Sequence, residues 1–400
     1  MLGINYAPEP TGIAPYTTRI ASGLRERGHD VRVVTAFPHY PQWRIAEGYA
    51  GWTRGEVLDG VPVKRVRHYV PTSPQGVRRA LSELSFGARL VTSRWGRPDV
   101  IVCASPALLS TAMAAGRNRR AALGVIVQDL YSAGLEEQGA GARVVRVLGG
   151  VERRLLSRAD GVAVIHDRFG ERCVERLGVD PERITVIRNW THVTEPEAFD
   201  RDALRRELGW GDETVVLHAG AMGVKQGLAN VVEAARLADT SGVAVRFVLL
   251  GDGGQRADLE RLADGVKAIG FVDPLPGETY AQALRCADVL LVNEKPGLAE
   301  MAVPSKLTSY FSTGLPVLAA TEPGSTTAGE IEASGAGLRI EPGRPEALLA
   351  TVLELAADPA RSQAVGARGP AYCETVLGEK VALDAYDAWV RELARTKGTA

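Results

Sequence analysis

The sequence predicts an α/β protein made of two doubly wound domains. Short apolar, β-branched runs alternate with segments of helical periodicity along most of the chain, a pattern typical of parallel sheets built from βαβ units. At 400 residues the chain is also longer than one hydrophobic core usually serves. A polar stretch at residues 191–200, with Pro196 inside it, interrupts the alternation and predicts a linker.

Residues 1–192 are expected to form the first domain. The opening segment, Met1–Asn5, offers barely half of the buried strand that such a domain begins with, so we expect a short first strand or a start further upstream. Helical patterns occur at Tyr16–Arg27, Val77–Trp95 and Val144–Ser157. The other strands predicted here are Val31–Thr35, Val61–Val66, Val100–Ala104, Val125–Gln128, Gly161–Ile165 and Ile184–Ile187.

Residues 197–375 resume the alternation and predict the second domain. Residues 380–396 then show apolar positions at helical spacing, including Tyr386 and Trp389, as in an amphipathic helix that faces a core. The strands predicted in the second domain are Val215–Ala219, Val245–Leu250, Ala268–Phe271, Val289–Asn293, Pro316–Ala319 and Gly337–Ile340.

Composition and charge limit the classes of protein. With 45% hydrophobic and 24% charged residues the chain is of ordinary globular type, and its four cysteines show no CxxC spacing, which favours a reducing cytoplasm. No apolar run approaches the ~20 residues of a membrane helix. Residues 1–195 hold 27 Lys and Arg against 19 Asp and Glu. This basic half can attract an anionic partner, although unevenly spread surface arginines would give the same count.

Several segments of the second half are suited to holding an anion. Val303–Lys306 places a hydroxyl, an ammonium and a helix start just after a predicted strand. Two glycine loops, His218–Gly227 and Leu250–Gly254, also follow strands, and the glycines of the first loop are expected to expose backbone donors. Lys225 in the first loop can neutralise a diphosphate, although a lysine beside a flexible loop is also common at surfaces.

Loops that follow strands of the first half hold further polar candidates. Gly12 lies where open α/β sheets bind ligands, and it either lets backbone approach an anion or only makes a tight turn. Asp129 follows a strand, where a carboxylate can orient or deprotonate a hydroxyl, or can cap a turn. His39, between Pro38 and Pro41, is equally compatible with packing inside its loop.

Asp200-Arg201-Asp202 is the only DxD sequence in the chain, a pattern that can hold a divalent cation. It stands in the predicted linker, directly before the helical segment Ala203–Leu208. A helix cap is therefore the favoured interpretation, and no metal site is expected.

In this order, the features resemble the retaining family 4 glycosyltransferases of the GT-B fold, and among them the exopolysaccharide and O-antigen subgroup. The resemblance spans nearly the whole chain. It is carried by Asn5–Glu9 with Gly12, Arg27–Val31, Gln128–Leu130, Arg188–Trp190, Gly220–Gly227, Gly251–Gly253, Gly270–Val272, Pro304–Lys306 and Gly314–Pro316.

The resemblance implies two Rossmann-like domains facing a cleft, the first for the acceptor and the second for a nucleotide-sugar donor, with the last helix packing back on the first domain. It implies that Asp129 lies near the donor sugar and that Asp129 and Lys225 are catalytic. The donor-binding residues implied are Gly220, Gly223, Lys225, Gly251, Asp252, Gly253, Phe271, Glu300, Pro304, Ser305 and Lys306. The acceptor-side residues implied are Tyr6, Glu9, Gly12 and His39.

Two departures from the family pattern stand near this site. The family's paired glutamates would fall at Met301 and Ser309, which are not acidic, and Glu294 or Glu300 is the expected substitute. The arginine that often precedes the diphosphate lysine is also missing.

The activity that the resemblance implies is metal-independent, hexosyltransferase-type sugar transfer to a glycan, lipid-linked or small-molecule acceptor. A nucleotide-diphosphate sugar is the expected co-substrate, with no other cofactor and no nucleic-acid partner. The expected location is the cytoplasm, with peripheral contact to the inner face of the membrane through the basic half. A non-catalytic sugar-nucleotide-binding or partner subunit and a sugar-nucleotide epimerase are the alternatives.

Overall fold

A computed structural model describes residues 1–10, 12–73, 76–105, 107–118, 120–132, 141–191, 193, 195–297 and 306–398. The chain divides into two compact units. Met1–Asn189 together with Lys380–Ala400 form the first, and Trp190–Glu379 form the second. The division falls just before the polar stretch that predicts a linker. Both units are α/β, so the predicted fold class is confirmed.

The strands described are, in the first unit, β1 (Val33–Ala36), β2 (Thr53–Leu58), β3 (Val61–Val66), β4 (Val100–Ala104), β5 (Ala122–Val127), β6 (Gly161–Val164) and β7 (Ile184–Val186). Those in the second unit are β8 (Thr214–Ala219), β9 (Val245–Leu250), β10 (Ile269–Val272), β11 (Val289–Asn293), β12 (Val317–Ala320) and β13 (Gly337–Ile340).

The helices described are α1 (Ala14–Glu26), α2 (Gly76–Thr92), α3 (Leu108–Arg117), α4 (Ala142–Leu156), α5 (Asp167–Glu175), α6 (Arg201–Glu207), α7 (Ala229–Ser241), α8 (Arg256–Leu262), α9 (Gly277–Cys286), α10 (Lys306–Phe311), α11 (Thr326–Ser334), α12 (Pro345–Ala357), α13 (Pro359–Gly366), α14 (Arg368–Thr375) and α15 (Glu379–Gly398). Short 3₁₀ turns occur at Pro181–Arg183 and Val224–Gln226.

The N-terminal segment joins two groups of strands in the first unit, β2-β3-β1 and β4-β5-β6-β7. Leu2 forms parallel bridges to Val34 of β1 and to Cys103 of β4, and its N–H donates to the Val102 carbonyl at 2.8 Å. The short first strand expected from the sequence is thus a single bridged position. It places the start of the loop that follows, residues 4–10, at the carboxyl edge between β1 and β4.

Strand β2 is absent from the sequence-based prediction. It pairs with β3 in an antiparallel hairpin, whereas the other strand pairs in both units are parallel among the described residues. Its six residues are mostly exposed and show no apolar run, so periodicity could not find it. β5 likewise begins earlier than predicted, at Ala122, because Ala122 and Gly124 lack the branched side chains on which the prediction rested.

The second unit is one sheet of parallel strands in the order β10-β9-β8-β11-β12-β13. Successive residues of a strand face opposite sides: Val216 packs in one apolar cluster and Leu217 in another, on the other face. Both faces are therefore covered by helices, which explains the continuous apolar runs. The connections run outward in opposite directions from β8 and β11, and such a switch point is where open α/β sheets bind ligands.

Helix α15 returns to the first unit and packs on its sheet. A Cβ added at Gly124 would lie 2.6 Å from the Trp389 ring, and one added at Gly161 would lie 2.9 Å from both Trp389 and Leu393. The glycines of β5 and β6 thus leave the space that these two side chains fill. Asp384 also pairs with Arg27, at 2.6 Å between Oδ1 and Nη2.

Within the described parts of the chain, no helix has both the length and the apolar character needed to cross a membrane.

Replacing Trp389 with Ala should lower the free energy of unfolding by about 3 to 5 kcal/mol, because a large buried side chain is lost and a cavity remains over the two glycines. Chemical denaturation followed by circular dichroism measures the change. Glu392→Ala, on the exposed face of the same helix, serves as the control and should shift the midpoint little. Equal effects of the two substitutions would contradict this packing.

Candidate functional site

The switch point of the second unit brings a histidine and a lysine together. His218, near the end of β8, is fully buried, and its Nε2 lies 3.3 Å from Nζ of Lys306, the first residue of α10. Burial, and then the charge of Lys306, holds the pKa of His218 well below its usual range. The imidazole is therefore neutral, and in the tautomer with its proton on Nδ1 its Nε2 accepts a hydrogen bond from the ammonium and helps to direct the Lys306 side chain.

The end of β11 holds the loop that carries Lys225. The Asn293 side chain is buried and donates from Nδ2 to the Gln226 carbonyl at 2.8 Å and to the Gly227 carbonyl at 3.1 Å. The N–H of Lys295 donates to the Lys225 carbonyl at 2.8 Å. The turn after β8 is thus tied to β11 across the switch point, while the Lys225 side chain is exposed there.

The glycine loops after β8 and β9 pack backbone against backbone. A Cβ at Gly251 would overlap the Gly220 carbonyl oxygen, and one at Gly253 would lie 2.5 Å from the Met222 carbonyl oxygen. The N–H of Met222 donates to the Asp252 carbonyl at 2.9 Å. Glycine is required here because no side chain fits between the two loops.

The prediction that the glycines of the first loop expose backbone donors is wrong for Gly220 and Gly223, because each N–H is hydrogen-bonded inside the unit, as are those of Gly251 and Gly253 in the second loop. Gly220 donates to the Leu250 carbonyl and Gly251 to the Val272 carbonyl. The other two donate to side chains, Gly223 to Gln226 Oε1 at 3.0 Å and Gly253 to Asp252 Oδ1 at 2.7 Å. These glycines shape the site through the space that they leave.

Lys306 comes close to one of these loops. A Cβ at Gly220, whose φ is +133°, would lie 3.4 Å from Lys306 Nζ. Asp252 is exposed beside the second loop, and Phe271, half-buried on β10, pairs in register with Leu249. The structure therefore places Gly220, Lys225 and Lys306 around the ends of β8 and β11, with Asp252 and Phe271 further along the same carboxyl edge.

Three predicted donor residues, Glu300, Pro304 and Ser305, lie outside the described residues. Glu294 is described, and its carboxylate is buried and accepts from the hydroxyls of Thr321 and Thr327. Burial raises the pKa of Glu294, and these two hydrogen bonds counteract part of that rise. Glu294 is thus turned into the protein at the start of α11.

Ser309 occupies one position where the family pattern has a glutamate. Its Oγ lies 3.4 Å from Thr191 Oγ1, and the residue is buried on α10. A serine hydroxyl beside a threonine hydroxyl therefore stands where the family pattern has a carboxylate.

The first unit has its own cluster at the corresponding edge. Glu9 is buried, and its Oε1 accepts from the N–H groups of His39 and Tyr40 at 2.8 and 2.9 Å, while its Oε2 accepts from Asn5 Nδ2 at 2.8 Å. One carboxylate thus ties the loop after the N-terminal strand to the loop after β1.

His39 is also buried, and its Nδ1 lies 3.0 Å from the Phe37 carbonyl. Burial lowers the pKa of His39 more than the neighbouring Glu9 raises it. The ring stacks edge-on against His68, with centroids 4.8 Å apart. This geometry favours the loop-packing interpretation of His39.

Tyr6 and Gly12 border the same loop. Tyr6 is buried, and burial raises the pKa of its hydroxyl far above the usual value. Gly12 has φ +67°, and a Cβ there would lie 3.4 Å from the Tyr40 ring. The buried Tyr6 side chain and the positive φ of Gly12 both contribute to the shape of this loop, and Gly12 forms the tight turn expected as one of its two possible roles.

Asp129 lies at the carboxyl end of β5 with an exposed side chain. Its carbonyl accepts from Ser105 Oγ at 3.2 Å, which ties the position to the end of β4. The preceding residue, Gln128, forms a reciprocal amide pair with Asn189 at 3.1 and 2.8 Å. Hydrogen bonds at Asp129 and at the preceding residue thus anchor the position from which the Asp129 carboxylate projects.

Asp200 caps helix α6 as predicted, since its Oδ1 accepts from the Ala203 N–H at 2.9 Å. No group of three or more His, Cys, Asp or Glu side chains is placed to hold a metal ion within the described parts of the chain.

Sequence reasoning singled out neither His218 nor Asn293 as a site residue. Each is a polar residue at the end of an otherwise apolar strand, and that signal could have found them.

Two family models match the chain. Residues 11–190 match the glycosyl transferase 4-like domain, and residues 213–358 match the glycosyl transferases group 1 domain. The protein named "Putative colanic acid biosynthesis glycosyl transferase WcaI" of Escherichia coli is 32% identical over 370 residues, 88% of this chain and 90% of that protein. D-inositol 3-phosphate glycosyltransferase of Nocardia farcinica is 30% identical over 218 residues, 51% of this chain and 46% of that protein.

Solved structures show the same fold at low sequence identity. HepE of Anabaena, crystallised in complex with UDP-glucose, is 17% identical and covers 100% of this chain and 99% of its own, with a TM-score of 0.68. Sucrose-phosphate synthase of Thermosynechococcus elongatus is also 17% identical, over 99% of each chain, with a TM-score of 0.72. The family models and the 32% identical relative show the family, and the solved structures show the fold. The chain is a GT-B fold glycosyltransferase that belongs to the family combining a glycosyl transferase 4-like domain with a group 1 domain.

Proposed function

We propose that this glycosyltransferase moves a sugar, with retention of anomeric configuration, from a nucleoside diphosphate sugar to a glycan or lipid-linked acceptor, with no metal taking part. The name of the 32% identical relative, which places it in colanic acid biosynthesis, supports a polysaccharide pathway. The complex of HepE with UDP-glucose supports a nucleotide-sugar donor. A small-molecule acceptor is the other acceptor class compatible with this reaction.

The main support for a diphosphate donor is the position of the Lys306 ammonium, which lies beside His218 at the switch point of the second unit. A neutral imidazole leaves the full positive charge on the lysine, whereas a protonated one would repel it. Lys225 adds a second ammonium from the turn that Asn293 ties to β11. Two cations at the carboxyl edge of β8 and β11 suit a diphosphate.

The proposed reaction breaks the bond between the anomeric carbon and the diphosphate oxygen. A bond from the acceptor oxygen to the anomeric carbon forms on the same face of the sugar, and the acceptor proton passes to the departing diphosphate oxygen. Negative charge grows on the diphosphate as it leaves, and Lys225 and Lys306 stabilise that charge. No metal is needed for this step because the ammonium groups supply the positive charge.

Asp129 is proposed to act on the acceptor side. Its carboxylate is exposed at the end of β5, where it can accept a hydrogen bond from a hydroxyl and orient the attacking oxygen. The basic composition of the first half suits an acceptor presented at an anionic membrane, so we place the protein in the cytoplasm with peripheral contact to the inner face of the membrane.

A thermal-shift screen with nucleotide sugars tests the function as a whole. The sugar that stabilises the protein is then assayed for release of nucleoside diphosphate with and without membrane lipid extract. We expect stabilisation, and release that increases with the extract. Stabilisation without release under any condition would reject transfer in favour of binding alone.

Lys225→Ala should lower kcat by ~100-fold or more, since one charge-stabilising donor is lost from the transition state. Release of nucleoside diphosphate measures it. Lys267→Ala is the matched control, because Lys267 is an exposed lysine of the same unit that lies two residues before β10, at the opposite edge of the sheet. Near-wild-type turnover of Lys225→Ala would exclude the assigned role.

His218→Leu should weaken nucleoside diphosphate binding about tenfold, because the ammonium loses the acceptor that directs it. Titration calorimetry on His218→Leu, Lys306→Ala and the double variant forms a cycle. In the Lys306→Ala background the His218 substitution should have no further effect on the binding constant. An equal loss in both backgrounds would show that His218 acts through stability of the unit and not through Lys306.

Asp129→Asn should lower kcat about tenfold while the thermal shift produced by the nucleotide sugar stays unchanged, because a neutral amide accepts a weaker hydrogen bond from the attacking hydroxyl than a carboxylate does and the donor site lies in the other unit. Asp99→Asn, an exposed aspartate just before β4, is the control. A loss of donor-induced stabilisation in Asp129→Asn would contradict an acceptor-side role.

A further inference from the structure

Strand β2 lies at an open edge of the sheet in the first unit. It pairs with β3 on one side, and no strand within the described residues pairs with its other side. Its residues are mostly exposed, and Val57 is 66% exposed. Such an edge presents backbone N–H and C=O groups to solvent, where they can pair with a strand of another chain.

The pairing with β3 determines which residues of β2 present those groups. The Arg67 N–H donates to the Trp52 carbonyl at 3.0 Å, in the same register as the β2–β3 ladder. Because hydrogen-bonded and non-hydrogen-bonded pairs alternate along an antiparallel ladder, the even-numbered residues of β2 direct their backbone groups at β3. The N–H and C=O groups of Thr53, Gly55 and Val57 therefore point outward, along the open edge.

No contact of the unit itself requires a glycine at position 55. A Cβ added to Gly55 would have no heavy atom within 4 Å beyond its chain neighbours, and the φ of Gly55 lies outside the left-handed region. Glycine weakens the interior of a strand, and it often marks a place where another backbone approaches closely. Gly55 stands at the centre of the open edge, so the approaching backbone would come from the side opposite β3.

Charged residues on either side of Gly55 have opposite signs. Arg54 and Glu56 lie on the same face of β2, with 3.6 Å between Nε and Oε2. Glu56 also accepts from Arg65, which is fully buried on β3 and holds the carboxylate at this edge. Natural sheets often protect an open edge with a proline, a β-bulge or a charged side chain. β2 has neither proline nor bulge, and its two charges repel a second strand only where like charges meet.

An antiparallel second copy of β2 fits this edge when a two-fold axis passes through Gly55. The two Gly55 residues then form a hydrogen-bonded pair, and Thr53 pairs with Val57 of the second copy, so all three outward residues are used. Arg54 comes opposite Glu56 of the second copy, and symmetry repeats this pair. Opposite charges across an antiparallel ladder stabilise it, whereas like charges destabilise it.

Neighbouring registers lose this match. Moving the axis by two residues in either direction separates Arg54 from Glu56 of the second copy. The register centred on Gly55 also places Trp52, which is 73% exposed, opposite Leu58 of the second copy. The edge is therefore self-complementary in one register, through its backbone groups, its charges and its apolar side chains.

We propose that β2 binds β2 of a second copy of this chain, in an antiparallel ladder centred on Gly55. The two β1-β3-β2 groups then form one continuous sheet across the two copies. Self-complementarity favours a second copy over an unrelated strand, since each residue of the edge meets its match in the same sequence. This inference goes beyond the proposed function, because it concerns a surface of the first unit and no step of sugar transfer.

Disulfide trapping in the full chain tests the register. Gly55→Cys should form a cross-linked dimer on mild oxidation, because hydrogen-bonded residues of an antiparallel pair have Cα atoms about 5.5 Å apart, within reach of a disulfide. Thr53→Cys is the matched control, since its two copies are offset by four residues along the strands, about 14 Å. The wild type, whose own cysteines are mostly buried, sets the background. A cross-link as strong in Thr53→Cys as in Gly55→Cys, or none in Gly55→Cys, overturns the proposal.

Sedimentation equilibrium measures the association of the chain without a cross-link. The wild type should shift from monomer to dimer with concentration, and Arg54→Glu should weaken dimerisation about tenfold, because two pairs of opposite charge become pairs of like charge. Arg206→Glu changes an exposed arginine of α6 in the second unit and should have no effect.

Unchanged melting temperatures show that these variants are folded, and the cysteine pair decides the outcome should Arg54→Glu fail to fold. A wild type that stays monomeric up to about 1 mM contradicts the proposal. Equal effects of Arg54→Glu and Arg206→Glu on dimerisation contradict it as well, because they would show a response to net charge and not to this edge.

Discussion

The donor side of the second unit depends on the close packing of two strand-exit loops. The loop after β8 and the loop after β9 touch through their backbones, and Gly251 and Gly253 allow it because a Cβ at either would meet a carbonyl group of the other loop. The N–H groups of Gly220, Gly223, Gly251 and Gly253 are hydrogen-bonded inside the unit. The cations Lys225 and Lys306 border the switch point beside these loops.

Electrostatics at that point follow from burial. His218 is fully buried, and an uncharged ring costs less to bury than an imidazolium, so it can stand 3.3 Å from an ammonium without repelling it. The same arrangement at the surface would leave both the charge state and the direction of Lys306 open. Burial thus keeps His218 neutral, and the neutral ring influences the direction of the Lys306 ammonium.

In the first unit, buried carboxylates accept hydrogen bonds from the backbone. Three glutamates, Glu9, Glu83 and Glu152, are buried, and each accepts hydrogen bonds from backbone N–H groups in loops or at a helix start. These carboxylates order the chain where strands end, which balances the cost of burying them. Their negative charge is withdrawn from the surface, so the surface of the basic half is more positive than its composition indicates.

Periodicity in the sequence predicted most strands, because strands of a doubly covered parallel sheet are apolar throughout. It failed for β2, whose residues are exposed, and it gave Leu2 only as part of a short strand. At the site, the glycine loops and both lysines were recognised, since residue type and position after a strand suffice for that. The reason given for the glycines was wrong, because the partner of an N–H group depends on a loop that is distant in sequence.

The sequence by itself determined the α/β class, the two-part organisation and the presence of cations after strands of the second half. Local pattern and residue chemistry are enough for these features. Only the tertiary structure decided that His218 directs Lys306, that Glu9 and His39 face inward, and that Glu294 is bound by two threonines. Each of these outcomes depends on which distant segments become neighbours, and on which side chains those neighbours remove from water.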